Sequence, residues 1–299
     1  MVTYTTYHMA GNREDLINVL VNISPEETPM LSGFKKTKAS GRLHEWMQDE
    51  LTAGANGRVV EGSDATAGAI TARTRVGNYC QINRKAFQIS DSQNAPNLVK
   101  SGISGSEYEY QLSKALKEIA TDMEVDIVSG VSAVGDSATA RAARGCLSFI
   151  ATNNHTGAAA GASAEVLTED MYNDSLQTIF GTGGNPDTTY CNGFQKRKIS
   201  GFTGSQTRNI EASSKKLVAS LDVYESDFGL QRIILDRHMS TDTVAQLQKD
   251  MWKIAMYRPV KHTPLAKTGS SMKGMVESEW TLEALSEKSG GKITELTTS

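Results

Sequence analysis

Cysteine is scarce, and the little there is does not pair. Cys80, Cys146 and Cys191 are odd in number, far apart and without CxxC spacing, which excludes a readable disulfide framework and fits reduced thiols. Aromatic residues make up only 6% of the chain, too few for one dense aromatic core, whereas 26 glycines favour extended loops and close backbone approaches. Long apolar runs are missing: no stretch approaches the roughly 20 residues a membrane span requires. Residues 1–11 carry polar Thr and Tyr where a secretion signal needs a basic start and an apolar run, so none is read. An excess of one charge is missing too. With 31 basic and 34 acidic residues the formal net charge is -3, which disfavours binding driven by phosphates or by an anionic bilayer. These absences together predict a chain made and assembled in the cytoplasm, with no membrane partner.

Catalytic and metal-binding patterns are equally thin. His8, His44, His155, His238 and His262 are dispersed, and the segment at His44-Glu45-Trp46-Met47-Gln48 lacks the second histidine of a zinc helix. The Gly-rich turn at 181–185 follows a helix instead of opening one and contains no GxxxxGK[ST], so it reads as a helix terminator and not a phosphate cradle. One coincidence is worth weighing. Ser32-x-x-Lys35, Ser92-Gln93-Asn94 and Lys267-Thr268-Gly269 occur in the order used by penicillin-recognising serine enzymes. Each piece fixes only two or three residues, and Ser32 falls at the end of a short helix with little core around it. The expectation is therefore no enzyme, no cofactor and no metal, with a serine hydrolase kept as an alternative.

What the sequence does contain is one strong helical signal. Tyr108, Leu112, Leu116, Ile119, Met123 and Ile127 recur at spacings of three and four, which predicts an amphipathic helix over 105–130. At 1.5 Å per residue it spans about 36 Å, opened by Gly105-Ser106 and closed by Gly130. Glu118, Asp122 and Asp126 form a like-charged stripe on another face, read as solvated. A second helix is predicted over 167–181, ended by the turn cluster at 181–186, and strands over 217–224, 230–235 and 276–285. Residues 131–165 are low in complexity and read as loops with short strands, marking a domain transition.

The first ninety residues read differently. Asn12 caps a short helix carrying Leu16, Ile17 and Leu20 on one face, and Ser24-Pro25-Glu26-Glu27 starts another. Two short helices bury little, so this segment reads as an arm laid on something else. Strands are predicted over 41–49 and 73–90, paired with each other. Between them, residues 51–70 hold Gly54, Gly57, Gly62 and Gly68 around the apolar pair Val59-Val60. A connection of that length is uncommon in a compact domain unless it has a job, which points to a projecting loop.

In these segments the chain resembles a known family. The order Asn12-Arg13-Glu14-Asp15-Leu16, Ile23-Ser24-Pro25-Glu26-Glu27-Thr28-Pro29, Leu43-His44-Glu45-Trp46 and Val60-Glu61-Gly62 is similar to that of major head proteins of tailed double-stranded DNA phages. So are Arg75-Val76-Gly77-Asn78-Tyr79-Cys80-Gln81-Ile82, Ile89-Ser90-Asp91 and the helix with Leu116-Lys117-Glu118-Ile119 and Asp122-Met123-Glu124. The likeness is strongest over 12–127 and weaker beyond 145. It implies an α+β Hong Kong 97-like capsid fold: an N-terminal arm (1–35), an extended E-loop (36–92), a P-domain (93–148) with spine helix 105–130, an A-domain (149–249) and a return to the P-domain (250–299).

The function so implied is a structural subunit of an icosahedral phage head, self-assembling into hexamers and pentamers that enclose double-stranded DNA without binding it specifically. Portal, scaffolding or cement proteins are its other implied partners, and the virion its location. Intersubunit contacts are expected at Gly54, Arg58, Val59, Val60, Glu61 and Gly62 of the loop and at Leu16, Ile17 and Leu20 of the arm. Glu118, Asp122 and Asp126 are expected to face DNA and keep it from sticking. The alternatives sharing some of these features are an encapsulin-like bacterial nanocompartment shell and a tail or decoration protein.

Overall fold

The structure, a computed structural model, describes residues 27–51, 54, 56–65, 68, 70–95, 106–157, 164–202 and 222–298. The chain enters through α1 (Pro29–Gly33), with Pro29 in the first turn where its missing N–H costs nothing, and then β1 (Lys35–Lys38). The helix starts expected at Asn12 and Ser24, and with them Leu16, Ile17 and Leu20, lie outside the described residues.

β2 (Leu43–Gln48) and β3 (Thr74–Tyr79) pair antiparallel, with Trp46 opposite Val76, as their patterns suggested. The single strand expected over 73–90 is in fact two. The Cys80 N–H still donates to the Arg42 carbonyl at 2.8 Å, next in register after Tyr79 opposite Leu43, and the chain then continues as β4 (Gln81–Ser90) in a different sheet. Apolar alternation runs straight through that break, so periodicity alone cannot register a change of partner.

The long helix is α2 (Glu107–Ser129), within two residues of its predicted span. Ser106 Oγ accepts from the Tyr108 N–H at 3.2 Å to start it, and Gly130 follows its end. Then come α3 (Cys146–Phe149), β5 (Asn154–Thr156), α4 (Glu169–Gly181), β6 (Thr188–Cys191) and α5 (Gly193–Ser200). The predicted terminator after α4 is a real one, with Gly183 at a φ of 89°. The remainder is strands: β7 (Val223–Ser226), β8 (Gly229–Leu235), β9 (Val244–Leu247), β10 (Trp252–Leu265), β11 (Ser271–Ala284) and β12 (Gly290–Thr294). Of the strand expected over 217–224, the end at Val223 and Tyr224 lies in β7, and 217–221 fall outside the described residues.

No strand was expected over β10, which contains Pro259 and Pro264, residues disfavoured inside a sheet. The structure tolerates them since β1 covers only Lys253 to Met256 of β10; beyond that point no strand among the described residues pairs with that edge, and the register with β11 shifts between Arg258 and Lys261.

Three sheets result. One has four strands in the order β1-β10-β11-β4, one has six in the order β5-β12-β9-β6-β8-β7 with both parallel and antiparallel pairs, and β2-β3 form a separate ribbon. The last strand, β12, joins the six-stranded sheet between β5 and β9, so the chain end does not stay with the four-stranded one. α2 lies along β4 and β11, burying Ala115, Ile119, Met123, Ile127 and Val128. Leu116, expected in that apolar column, is 41% exposed instead.

A core at the junction joins Met123 and Ile127 of α2 to Trp252, Ile254, Trp280 and Leu282 of the four-stranded sheet and to Tyr190 and Leu247 of the six-stranded one. A separate core beneath α4 and α5 holds Tyr172, Leu176, Ile199 and Ile293. The end of α2 is pinned by a close backbone crossing: Gly145 N–H donates to the Gly130 carbonyl at 2.8 Å. A β-carbon on Gly145 would meet Gly130 N at 2.5 Å and the Asp126 carbonyl at 2.6 Å, all rigid backbone. Gly145→Ala is therefore expected to cost about 1–3 kcal/mol by overpacking, read as a lowered urea midpoint at unchanged slope.

Candidate intersubunit loop and its anchoring

The stem of the loop is fixed to the body at several points. Asn78 donates to the carbonyls of Arg144 at 3.0 Å and Leu282 at 2.9 Å and accepts from the Arg144 N–H at 2.8 Å, so its buried amide ties β3 to β11. His44 meets the Glu283 carboxylate at 3.1 Å, and Gln48 donates to the Leu285 carbonyl at 2.7 Å. Trp46 lies 6.2 Å from the Phe149 ring on the junction core. Past Gln48 the bonds become surface ones, Arg73 on Asp49 at 3.1 Å and Lys288 on Glu50.

Beyond that base every described residue from Leu51 to Arg73 is exposed. Leu51 is 99%, Val59 84%, Val60 79% and Ile70 97% exposed. The tip turns on itself, with the Ser63 N–H donating to the Val60 carbonyl at 3.1 Å and Gly62 at a φ of 78°, which favours glycine. Gly54, Arg58, Val59, Val60, Glu61 and Gly62 are thus brought together on one projection, and among the described residues none is hydrogen-bonded or ion-paired to the body. Each apolar side chain left in water forgoes about 1.5–3 kcal/mol of burial. Four on one anchored projection make an exposed apolar patch that no described residue of the body covers.

The acidic residues of α2 are not a free stripe. Asp122 pairs with Lys85 of β4 at 2.8 Å, and Asp126 accepts from Gln81 and, at 3.1 Å, from Asn83. Only Glu118, 3.7 Å from Lys114 on its own helix, is paired loosely. Glu118 and Asp122 stay nearly half exposed, at 46% and 43%, while β4 alongside supplies donors to Asp122 and Asp126, which helix periodicity does not record.

Glu124 is a buried anchoring residue that periodicity missed. It is fully buried on α2, and its two carboxylate oxygens accept from the Met30 and Leu31 N–H groups at 2.7 Å each. The short helix α1 is thereby fastened to the long helix, while Phe34 stacks against Trp252 at 6.4 Å. Burial pushes the Glu124 carboxyl up to about 7 against the opposing pull of those two N–H groups. Its place beside the column Ile119-Met123-Ile127 was the only sign in the sequence that an acid would be buried.

Among the described residues the pieces of the serine-hydrolase pattern at Ser32-Lys35 and Lys267 are not brought together. Ser32 Oγ donates to the Thr28 carbonyl of its own helix at 2.6 Å, and Lys35 is held by Asp250 at 2.6 Å. Lys35 pairs with Lys253 near the start of β10, while Lys267 lies past the far end of that strand. Twelve or so intervening residues at about 3.3 Å each put the fragments roughly 40 Å apart. The thiols are buried and held protonated, Cys80 pushed up to about 11 by burial and Cys191 to about 12. Among the described residues no three His, Cys, Asp or Glu side chains converge as a metal site, and no helix is long and apolar enough to cross a membrane.

Buried apolar cores with an apolar projection held out on an anchored stem suit a structural subunit, and the comparisons with known proteins define the class as that of phage shell proteins. The sequence matches the SU10 major capsid protein family over residues 3–297, and the chain belongs to that family. It is 25% identical to the major capsid protein of Escherichia phage Phieco32 over 92% of both chains. Its fold matches the cyanophage A-1(L) capsid at a TM-score of 0.72 and 14% identity, and the capsid of a native GTA particle at 0.69 and 8%. Each match covers 99% of this chain and 100% of the other. The fold is accordingly the α+β Hong Kong 97-like capsid fold, and the protein is a structural shell subunit and virion component of a phage. Nothing in these matches supports the nanocompartment or hydrolase alternatives.

Proposed function

We propose that the loop over residues 51–73 lies across a neighbouring subunit, so that six or five copies close a ring and rings tile an icosahedral head around double-stranded DNA. The observation that carries this is the exposure of Leu51, Val59, Val60 and Ile70 on an anchored stem. Individual contacts of this size are weak after the entropy of association, and closing a ring makes them collective. In this reading the loop with β2 and β3 is the E-loop, α2 with the four-stranded sheet is the P-domain, and the six-stranded sheet is the A-domain. Residues 1–35 are the arm, with Leu16, Ile17 and Leu20 as its contacts on the next subunit, and assembly takes place in the host cytoplasm before DNA enters. Scaffolding, portal or cement proteins would add to these self-contacts. Repulsion of the enclosed DNA would rest mainly on Glu118, since Asp122 and Asp126 are engaged by β4.

The double variant Val59→Asp, Val60→Asp tests this. Both side chains are exposed, so the isolated subunit should keep its Tm, while hollow particles in electron micrographs should fall to background. Particles at the wild-type yield would remove the loop from the assembly mechanism.

A further inference from the structure

The loop tip carries a second chemistry. Asn-Gly occurs twice in the chain, at Asn56-Gly57 and at Asn192-Gly193. In any Asn-Gly pair the glycine nitrogen has no side chain beside it to block attack on the preceding amide carbon. Whether attack happens depends on the freedom of the asparagine side chain and of the glycine backbone.

The structure sets the two pairs apart. Asn192 caps α5: its Oδ1 accepts from the Phe194 N–H at 3.4 Å and its Nδ2 donates to the Met239 carbonyl at 3.0 Å. Attack by Gly193 N would require giving up both bonds together with the helix start. Asn56 lies on the exposed tip, three residues before Val59, with no hydrogen bond to the body among the described residues. Gly57 has nothing within 4 Å of where a side chain would begin. Its backbone is therefore open to rearrangement.

We propose that Asn56-Gly57 is a site of spontaneous deamidation that adds a negative charge to the contact loop of the unassembled subunit. The Gly57 nitrogen, losing its proton to hydroxide, attacks Asn56 Cγ, and the side-chain nitrogen leaves as ammonia. Water then opens the resulting five-membered imide at either carbonyl, giving aspartate or isoaspartate at position 56. Overall one water is consumed and one ammonia released, with no oxidant, metal or enzyme required. The new carboxylate stands beside the apolar pair Val59-Val60, and desolvating a charge there on docking is unfavourable. This consequence for assembly rests on the docking reading above; the reaction itself does not.

The test is peptide mapping by mass spectrometry of the full-length unassembled subunit, incubated at mildly alkaline pH. The peptide containing Asn56 should gain about one dalton at a rate at least about tenfold that of the Asn192 peptide, because only the second must first lose its cap. Gly57→Ala should slow the gain at Asn56 severalfold while leaving the fold intact, since that position has open space around it. Equal rates at the two asparagines, or an unchanged rate in Gly57→Ala, would overturn the proposal. Assembled shells provide the separate arm: protection of Asn56 there supports docking of the loop. A site that reacts in the free subunit and just as fast in the shell would keep the deamidation and sink the docking.

Discussion

Trp280→Ala is expected to cost the unassembled subunit about 3–5 kcal/mol, enough to leave a marginal domain substantially unfolded. Trp280 is fully buried on β11 in the junction core, where α2 and both larger sheets meet. Its Nε1–H donates to Asn83 Oδ1 at 3.0 Å, and Asn83 in turn donates to Asp126 on α2 at 3.1 Å. Gln81 joins the same network, donating to Asn83 at 2.8 Å and accepting from the Ala143 N–H at 2.9 Å. Truncation removes the ring and leaves a cavity between elements that cannot readily collapse together. Trp280→Phe keeps most of the ring volume, and Asn83 Oδ1 still has Gln81 as a donor, so about 1–2 kcal/mol is expected. Urea midpoints of the two variants measure the difference; equal midpoints would show that the hydrogen bond, not the packing, dominates.

The second large effect is expected at Glu124, where removing the carboxylate strands the Met30 and Leu31 N–H groups of α1. Glu124→Ala should cost about 3 kcal/mol or more. A pH dependence accompanies it, with a definite sign. The carboxyl is raised from its ordinary 4.5 to about 7 because burial outweighs the Met30 and Leu31 N–H groups, with the Asp236 charge raising it further. A raised acid contributes its stability in full below its unfolded value and loses it as pH rises through its folded one. Between about pH 5 and pH 8 the subunit should therefore lose up to roughly 3 kcal/mol from this group.

The other titratable groups near Glu124 are Asp236, Cys146, Tyr190 and, beside Asp236, His238. Asp236 is itself pushed up by burial, against the His238 N–H and the His238 charge. Glu124→Gln isolates the Glu124 part, since a neutral isostere has no charge to desolvate. Chemical denaturation at several pH values should give a flatter stability profile for Glu124→Gln than for wild type, and parallel profiles would assign the dependence to Asp236 or elsewhere.

Local features were legible where they depend on near neighbours in the chain. α2 was readable from Tyr108 to Ile127 and its cap at Ser106, and α4 from its apolar spacing and the turn at Gly183, because helix periodicity and capping are completed within a few residues. The exposed loop was legible because Val59 and Val60 stand among glycines with no local element to cover them. α3 and α5 were not: the first is a single turn, and the second carries Gln195, Lys196, Arg197 and Lys198, whose burial on one side comes from the sheet beneath.

Patterning along the chain was thus sufficient for the long helix and the segment that reaches outward, which follow from interactions between residues a few positions apart, whereas the class of fold was implied by the resemblance to phage head proteins. Partnership across the chain was decided only on folding. The division of 73–90 between two sheets, the acceptance of Pro259 at a register shift of β10 and the clasp of α1 by Glu124 each depend on contacts between residues far apart in sequence. Such contacts form once loops have closed and burial has fixed which polar groups remain to be satisfied, and no local alternation records that outcome.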